Sequence, residues 1–217
     1  MPKVSTPLFA KLLEYTKDVF EHTDGSHDWE HTQRVLTLAR HIAKLEGADI
    51  EIVEIATILH DIGRSAQDKS KGKVCHAELG ANMAEKILQS FEVPDDKIQK
   101  IIHCIGTHRF RGNNFPETLE AKVLFDADKL DGIGAVGIGR AFLFAGEHHA
   151  KLHDPNPNLD PNAEYTKEDT AYREYTVKLQ KIKDKVYTAE GKRLAQERHD
   201  FMEIFFHRLN EEVKGEI

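Results

Sequence analysis

Apolar positions along the chain recur three and four residues apart, and alternating runs closed by hairpin turns are missing, so the pattern predicts an all-α fold. A first helix is expected over Pro7 to His22, with Leu8, Leu12, Tyr15 and Val19 on one face, ended by the cluster Thr23-Asp24-Gly25-Ser26. A second is expected from about Asp28 to Glu46 on an apolar face of Val35, Leu38, Ala39 and Ile42, and Gly47 stops it. The third, Ile50 to Ile62, is apolar on nearly every side through Ile52, Val53, Ile55, Ala56, Ile58 and Leu59. Such a helix belongs in the core, which puts His60 and Asp61 at its inner end.

A polar stretch, Ser65 to Lys73, separates this helix from one over His76 to Phe91, and Pro94-Asp95-Asp96 opens another that runs to about Thr107. After a loop from Arg109 to Pro116, a helix from Leu119 carries Asp126, Asp128 and Asp131. The glycine-spaced run GIGAVGIGRAF that follows reads equally as a closely packed helix or as a loop. Residues 154–169, with Pro155, Pro157 and Pro161, form the least globular stretch and are read as a loop or lid. Helices over Tyr172 to Tyr187 and Ala189 to Val213 close the chain. Its 217 residues suit a single domain, 1–217, with the chemistry concentrated in 27–131 and the helices of 172–213 completing the bundle.

Composition narrows the class. Hydrophobic residues make up 40% and charged residues 31%, as in a soluble globular protein. The start, MPKVSTPLFAKLLEYTKDVF, has no basic region followed by a continuous apolar stretch, and no later segment approaches the ~18 apolar residues of a membrane span. A cytoplasmic protein with no membrane partner is expected. Cys75 and Cys104 have neither zinc-knuckle nor thioredoxin spacing and read as reduced structural thiols. A net charge of -7 argues against extended nucleic-acid binding, because phosphate contacts need a basic face. An anionic substrate would then need local cations or a metal, and 13 histidines supply abundant metal-binding imidazole. Homo-oligomerisation is left open.

His-Asp occurs four times, at 27-28, 60-61, 153-154 and 199-200, so context must choose among the copies. Only His60-Asp61 ends a strongly apolar helix, where two buried polar side chains need compensation that a metal ion can supply. Divalent Mn2+, Fe2+ or Mg2+ accept mixed imidazole and carboxylate donors. His31, on the helix before, and Asp128, on a later one, are fitting additional donors.

With these residues the sequence resembles the HD-domain superfamily of metal-dependent phosphohydrolases, whose signature is a histidine, a His-Asp pair and a distant aspartate. The matching residues are His31, His60, Asp61 and Asp128, within the strings HDWEHTQRV, ILHDIGR and DADKLDGIGAVGIGRAF. The resemblance is to the small bacterial HD hydrolases that act on nucleotides, and it extends over nearly the whole chain. It implies an HD-type helical bundle and a hydrolase in which the ion acidifies a water for attack at phosphorus. Members with two ions place further histidines on the next two helices, where His76 and His108 stand here. Each is either a ligand of a second ion, with Asp61 bridging, a phosphate contact, or an ordinary histidine at the margin.

Two departures from family patterns bear on substrate. No GYP string is present, which puts cyclic dinucleotide hydrolysis in doubt. Arg64 stands where the HD deoxynucleoside monophosphatases have an acidic residue, which favours a polyphosphate held by guanidinium hydrogen bonds. The expectation is therefore cleavage of a nucleoside or deoxynucleoside triphosphate to monophosphate and pyrophosphate, with Arg64, Lys129, Arg140 and Lys178 as phosphate-neutralising candidates. His27 and Asp131 are expected to support the ligands by hydrogen bonding, although Asp126 and Asp131 also read as solvent-facing acids or as a general base. Lys192, Arg193 and Arg198 read as a solvated helix face, Arg198 also as a phosphate contact. Rival readings are a nucleotide phosphomonoesterase, a cyclic-nucleotide phosphodiesterase, a non-catalytic nucleotide sensor, and a zinc peptidase using HDWEH as an HExxH-like pair. The last leaves the rest of the signature without a purpose.

Overall fold

A computed structural model describes residues 6–20, 29–70, 73–109, 114–160 and 163–217, and among these every regular element is helical. The chain forms two compact units, Met1–Asp128 and Lys129–Ile217.

In the first unit the helices are α1 (Pro7–Phe20), α2 (Trp29–Glu46), α3 (Ile50–Leu59), α4 (Arg64–Lys69), α5 (His76–Ser90), α6 (Asp95–Thr107) and α7 (Leu119–Asp131), the last continuing into the second unit. The centre is α3, packed against α1, α2 and α6, and every residue from Ile52 to Leu59 is buried. Burial of each large aliphatic side chain there contributes about 1.5–3 kcal/mol. Its start is fixed twice: Gly47 closes α2 with φ 78, and the Asp49 carboxylate accepts the N–H groups of Glu51 and Ile52.

The helix ends at Leu59 rather than at Ile62 as expected, and a new helix, α4, starts at Arg64 and runs into the stretch Ser65 to Lys73 that was expected to be a polar connection. Close packing accounts for the early end. Gly63 lies on the first turns of α5, where a Cβ would stand 2.9 Å from the Gly80 nitrogen, so backbone meets backbone with no room for a side chain. The face of α1 also differs from expectation: Phe9, Leu12, Thr16 and Phe20 are buried, while Tyr15 is 41% exposed. Phe9 sits 5.3 Å beneath the Arg40 guanidinium and Phe20 packs 6.2 Å from Trp29, so the aromatic rings set the rotation. Thr16 can be buried because its hydroxyl donates to the Leu12 carbonyl at 2.7 Å. On α2, Leu36 joins the buried set in place of Leu38.

The second unit holds α8 (Gly134–Glu147), α9 (Ala171–Val177), a 3-10 helix (Leu179–Lys185) and α10 (Ala189–Lys214), with α8 and the 3-10 helix each packed on α9 and α10. The glycine-spaced run is thus helical from Gly134 onward. The single helix expected over Tyr172 to Tyr187 is broken at Lys178, where φ is -135°. The carbonyls freed by that break accept side-chain donors, Thr176 from Gln180 and Val177 from Lys181. The described residues of the stretch, 154–160 and 163–169, are tied to α9 by Arg173, which is only 1% exposed. Its guanidinium donates to the Asn158 carbonyl at 2.6 Å, the Asp160 carbonyl at 2.7 Å and the Asp169 carboxylate at 2.8 Å. Among the described residues no helix is long and apolar enough to cross a membrane.

Candidate metal centre

Six side chains from five places in the first unit converge: His31 from the first turn of α2, His60 and Asp61 from the turn after α3, His76 opening α5, His108 capping α6, and Asp128 late in α7. All but Asp128 are buried, and Asp128 is 13% exposed, so the cluster has one edge near solvent.

The donors divide between the two oxygens of Asp61. Oδ2 lies 3.8 Å from His31 Nε2 and 3.6 Å from His60 Nε2, and Asp128 Oδ1 is 3.5 Å from His31 Nε2. Oδ1 lies 3.4 Å from His76 Nε2 and 3.6 Å from His108 Nε2, and those two nitrogens are 3.1 Å apart. Two ligands of one ion, each at ~2.1 Å from the metal, stand about 3.0–3.4 Å from each other; the 3.1 Å and 3.4 Å separations fall in that range and the 3.5–3.8 Å ones lie just beyond it, longer than hydrogen bonds.

Tautomers point the same way. His60 Nδ1 donates to the Thr57 carbonyl at 2.7 Å and His108 Nδ1 to the Ile105 carbonyl at 2.6 Å. His76 Nδ1 donates to Gln67 Oε1 at 2.8 Å. With the proton on Nδ1 in each ring, all three Nε2 lone pairs face the cluster. The Nε2 atoms of His76 and His108 then confront each other as two acceptors, a repulsive arrangement unless a cation or proton lies between. His60 Nε2 is buried with no hydrogen-bond partner at all. Burial, resisted by the Asp61 charge and reinforced by His108 and His31, pushes the His60 imidazole down to about 4, and burial likewise drives His76 far below the usual histidine range. Both rings are therefore neutral at pH 7, the form that binds metal. Neutral imidazoles with inward lone pairs, an orphaned buried nitrogen and two carboxylates are a donor set that fits a divalent ion.

Arg64 stands beside the cluster, its Nη2 3.7 Å from Asp61 Oδ2. The remaining sequence candidates belong to the second unit or fall elsewhere. Arg140 donates to Asp131 at 2.8 Å, so these two residues satisfy each other. Asp131 and Asp126 are both buried, which corrects their reading as solvent-facing acids; an aspartate on α7 can face inward here because the helix is buried along most of its length. Lys178 bonds Glu174 at 2.6 Å, and Lys129 follows Asp128 on α7. Arg198 is half-buried and donates to the Leu130 carbonyl, so it is not part of a freely solvated face. His27 lies outside the described residues.

Two features escaped the sequence reading. Gln67, within a stretch taken as a polar connector, holds His76, and nothing in its local pattern signals that task. The cysteines also differ from one another. Burial pushes the Cys104 thiol up to about 12. At Cys75, just before α5, burial acts upward but is outweighed by the Glu78 N–H, the Arg109 guanidinium and the Ala77 N–H, so this thiol is lowered. Arg109 Nη1 sits 3.2 Å from its sulfur.

The HD domain family model matches residues 28–133, which include every donor of the cluster. The protein YpgQ of Bacillus subtilis is 35% identical over 94% of this chain and 93% of its own length. The crystal structure of YpgQ in complex with ADP superposes with a TM-score of 0.73 at 29% identity, covering 95% of this chain and 98% of that one. An HD-superfamily hydrolase from Bacillus thuringiensis gives a TM-score of 0.75 at 28% identity over 95% of this chain and 96% of that chain. The chain belongs to the HD-domain superfamily of metal-dependent phosphohydrolases.

Proposed function

We propose that this protein hydrolyses a nucleotide, cleaving a nucleoside or deoxynucleoside triphosphate to the monophosphate and pyrophosphate. The observation that carries the hydrolase reading is the division of donors between the two oxygens of Asp61. In this reading His31, His60, Asp61 and Asp128 hold one divalent ion, and Asp61, His76 and His108 a second. When bound, such ions supply Lewis acidity, acidifying water for attack and drawing charge from a phosphate oxygen.

The chain's own residues do the rest. His60 and His108, locked through Nδ1 onto backbone carbonyls, keep their Nε2 atoms aimed at the reacting region without rearrangement during turnover. Arg64, at the edge of the cluster, is placed to hold phosphate oxygens by paired N–H groups, and Lys129, next to Asp128, adds positive charge. Arg140 and Lys178 are bonded to the carboxylates of Asp131 and Glu174. The ADP complex of the relative YpgQ supports a nucleotide as the ligand.

The same complex would also suit a sensor that binds nucleotide without turnover. Release of phosphate and pyrophosphate from a panel of nucleotides with Mn2+, for the parent and Asp61→Ala, separates the two. Pyrophosphate from a triphosphate, lost in Asp61→Ala, is expected; binding with no metal-dependent release from any nucleotide would overturn the hydrolase reading.

A further inference from the structure

We infer that Gln67 is the positioning residue for His76, fixing the tautomer and aim of a cluster imidazole whose Nδ1 is held by a side chain. The inference rests on the proposed reading of His76 as a ligand beside Asp61 and His108.

The geometry is specific. Gln67 Oε1 receives His76 Nδ1 at 2.8 Å and also the His76 backbone N–H at 3.3 Å. A backbone N–H can only donate, so the amide atom facing it is the oxygen, and the amide flip is settled by that contact. An oxygen there can only accept from Nδ1. The proton is thus on Nδ1, and Nε2 presents its lone pair to Asp61 Oδ1 at 3.4 Å and His108 Nε2 at 3.1 Å. Arg64 Nη1, 3.4 Å from the same Nδ1, is a second donor and cannot take over the role.

The corresponding nitrogens of His60 and His108 donate to carbonyls of their own helices, three residues back, which come with the fold. His76 opens α5 and has no preceding helical turn to use. Gln67 supplies the acceptor from across the connection between α4 and α5. Its backbone is held in turn, its N–H bonded to the Gly63 carbonyl and its carbonyl accepting the Ser70 hydroxyl at 2.8 Å. The Ser70 oxygen then accepts the Val74 N–H at 3.1 Å, tying the connection down just before His76. Outer partners of this kind typically change metal affinity about 10–100-fold.

The test titrates Mn2+ into metal-free full-length parent, Gln67→Ala, Gln67→Glu and His76→Ala by calorimetry, with 15N NMR of the histidine rings and melting of the metal-free forms alongside. Gln67→Ala is expected to weaken the Mn2+ binding that His76→Ala abolishes by about 10–100-fold. It should also shift the His76 ring away from the Nδ1–H tautomer while leaving metal-free melting unchanged. Gln67→Glu, which keeps an acceptor and makes it anionic, is expected to match or exceed the parent. Parental affinity in Gln67→Ala, or a tenfold loss in Gln67→Glu, overturns the inference while leaving His76 as a ligand. If His76→Ala itself binds Mn2+ as the parent does, the ligand reading of His76 fails, and this inference with it. Should Gln67→Ala not fold, the Gln67→Glu affinity and tautomer decide alone.

Discussion

Asp61 offers each of its oxygens to a different pair of histidines, and this makes it the residue whose loss should be felt most widely. Asp61→Asn keeps the shape but removes the charge. Its Mn2+ affinity, measured by calorimetry, is expected to fall by more than the about 10–100-fold that loss of an outer partner produces. The cysteines give a second prediction at this scale. Cys75, with a lowered thiol beside Arg109, should be alkylated by iodoacetamide well before buried Cys104, as followed by peptide mass spectrometry; equal rates would contradict the described environments. The structure brings together His31, His60, Asp61 and Asp128, which the sequence singled out as candidate donors because such residue types recur in a recognisable order with characteristic neighbours. Gln67 was not legible there, because an amide in a polar stretch looks like any solvated residue until His76 is placed beside it.

Elements were legible where one face is strongly apolar. The extent of α3 follows from its aliphatic run, but its end is set by the approach of Gly63 to α5, a contact between residues distant in sequence. Gly63→Ala should therefore lower stability by about 1–3 kcal/mol in denaturant unfolding, the usual range for overpacking. The buried face of α1 is shifted by one position from the expected one, because its rings pack on the Arg40 guanidinium and the Trp29 ring of α2, which set its rotation in place of the local period. Glu51 at the start of α3 is bonded to Lys97 on α6, and this bond holds its carboxyl below 4.5 despite burial, with help from Thr6. A depressed folded-state value means that its contribution is present above the ordinary carboxylate range and lost as pH falls through the lower folded value. Glu51→Gln should thus be less stable than the parent at pH 7. In melting curves against pH the gap should close in acid; a gap that widens in acid would contradict this pairing.

At the scale of the molecule, an acidic chain with net charge -7 presents phosphate chemistry with a local problem, and the cluster in the first unit answers it with imidazoles kept neutral by burial. The second unit has its own interior anchor in Arg173, whose three acceptors include the Asp169 carboxylate. Arg173→Met leaves that carboxylate buried without its charged partner, with the Tyr165 N–H still donating to it, and should destabilise the protein by about 3–5 kcal/mol, read by denaturant unfolding. This anchor was invisible in the sequence, since its partners are mostly backbone carbonyls of an irregular segment. Anomalous diffraction from crystals of the protein grown with Mn2+ decides whether the cluster of the first unit holds metal. One peak is expected among His31, His60, Asp61 and Asp128 and a second among Asp61, His76 and His108; density without a peak at either position would rule out the metal centre.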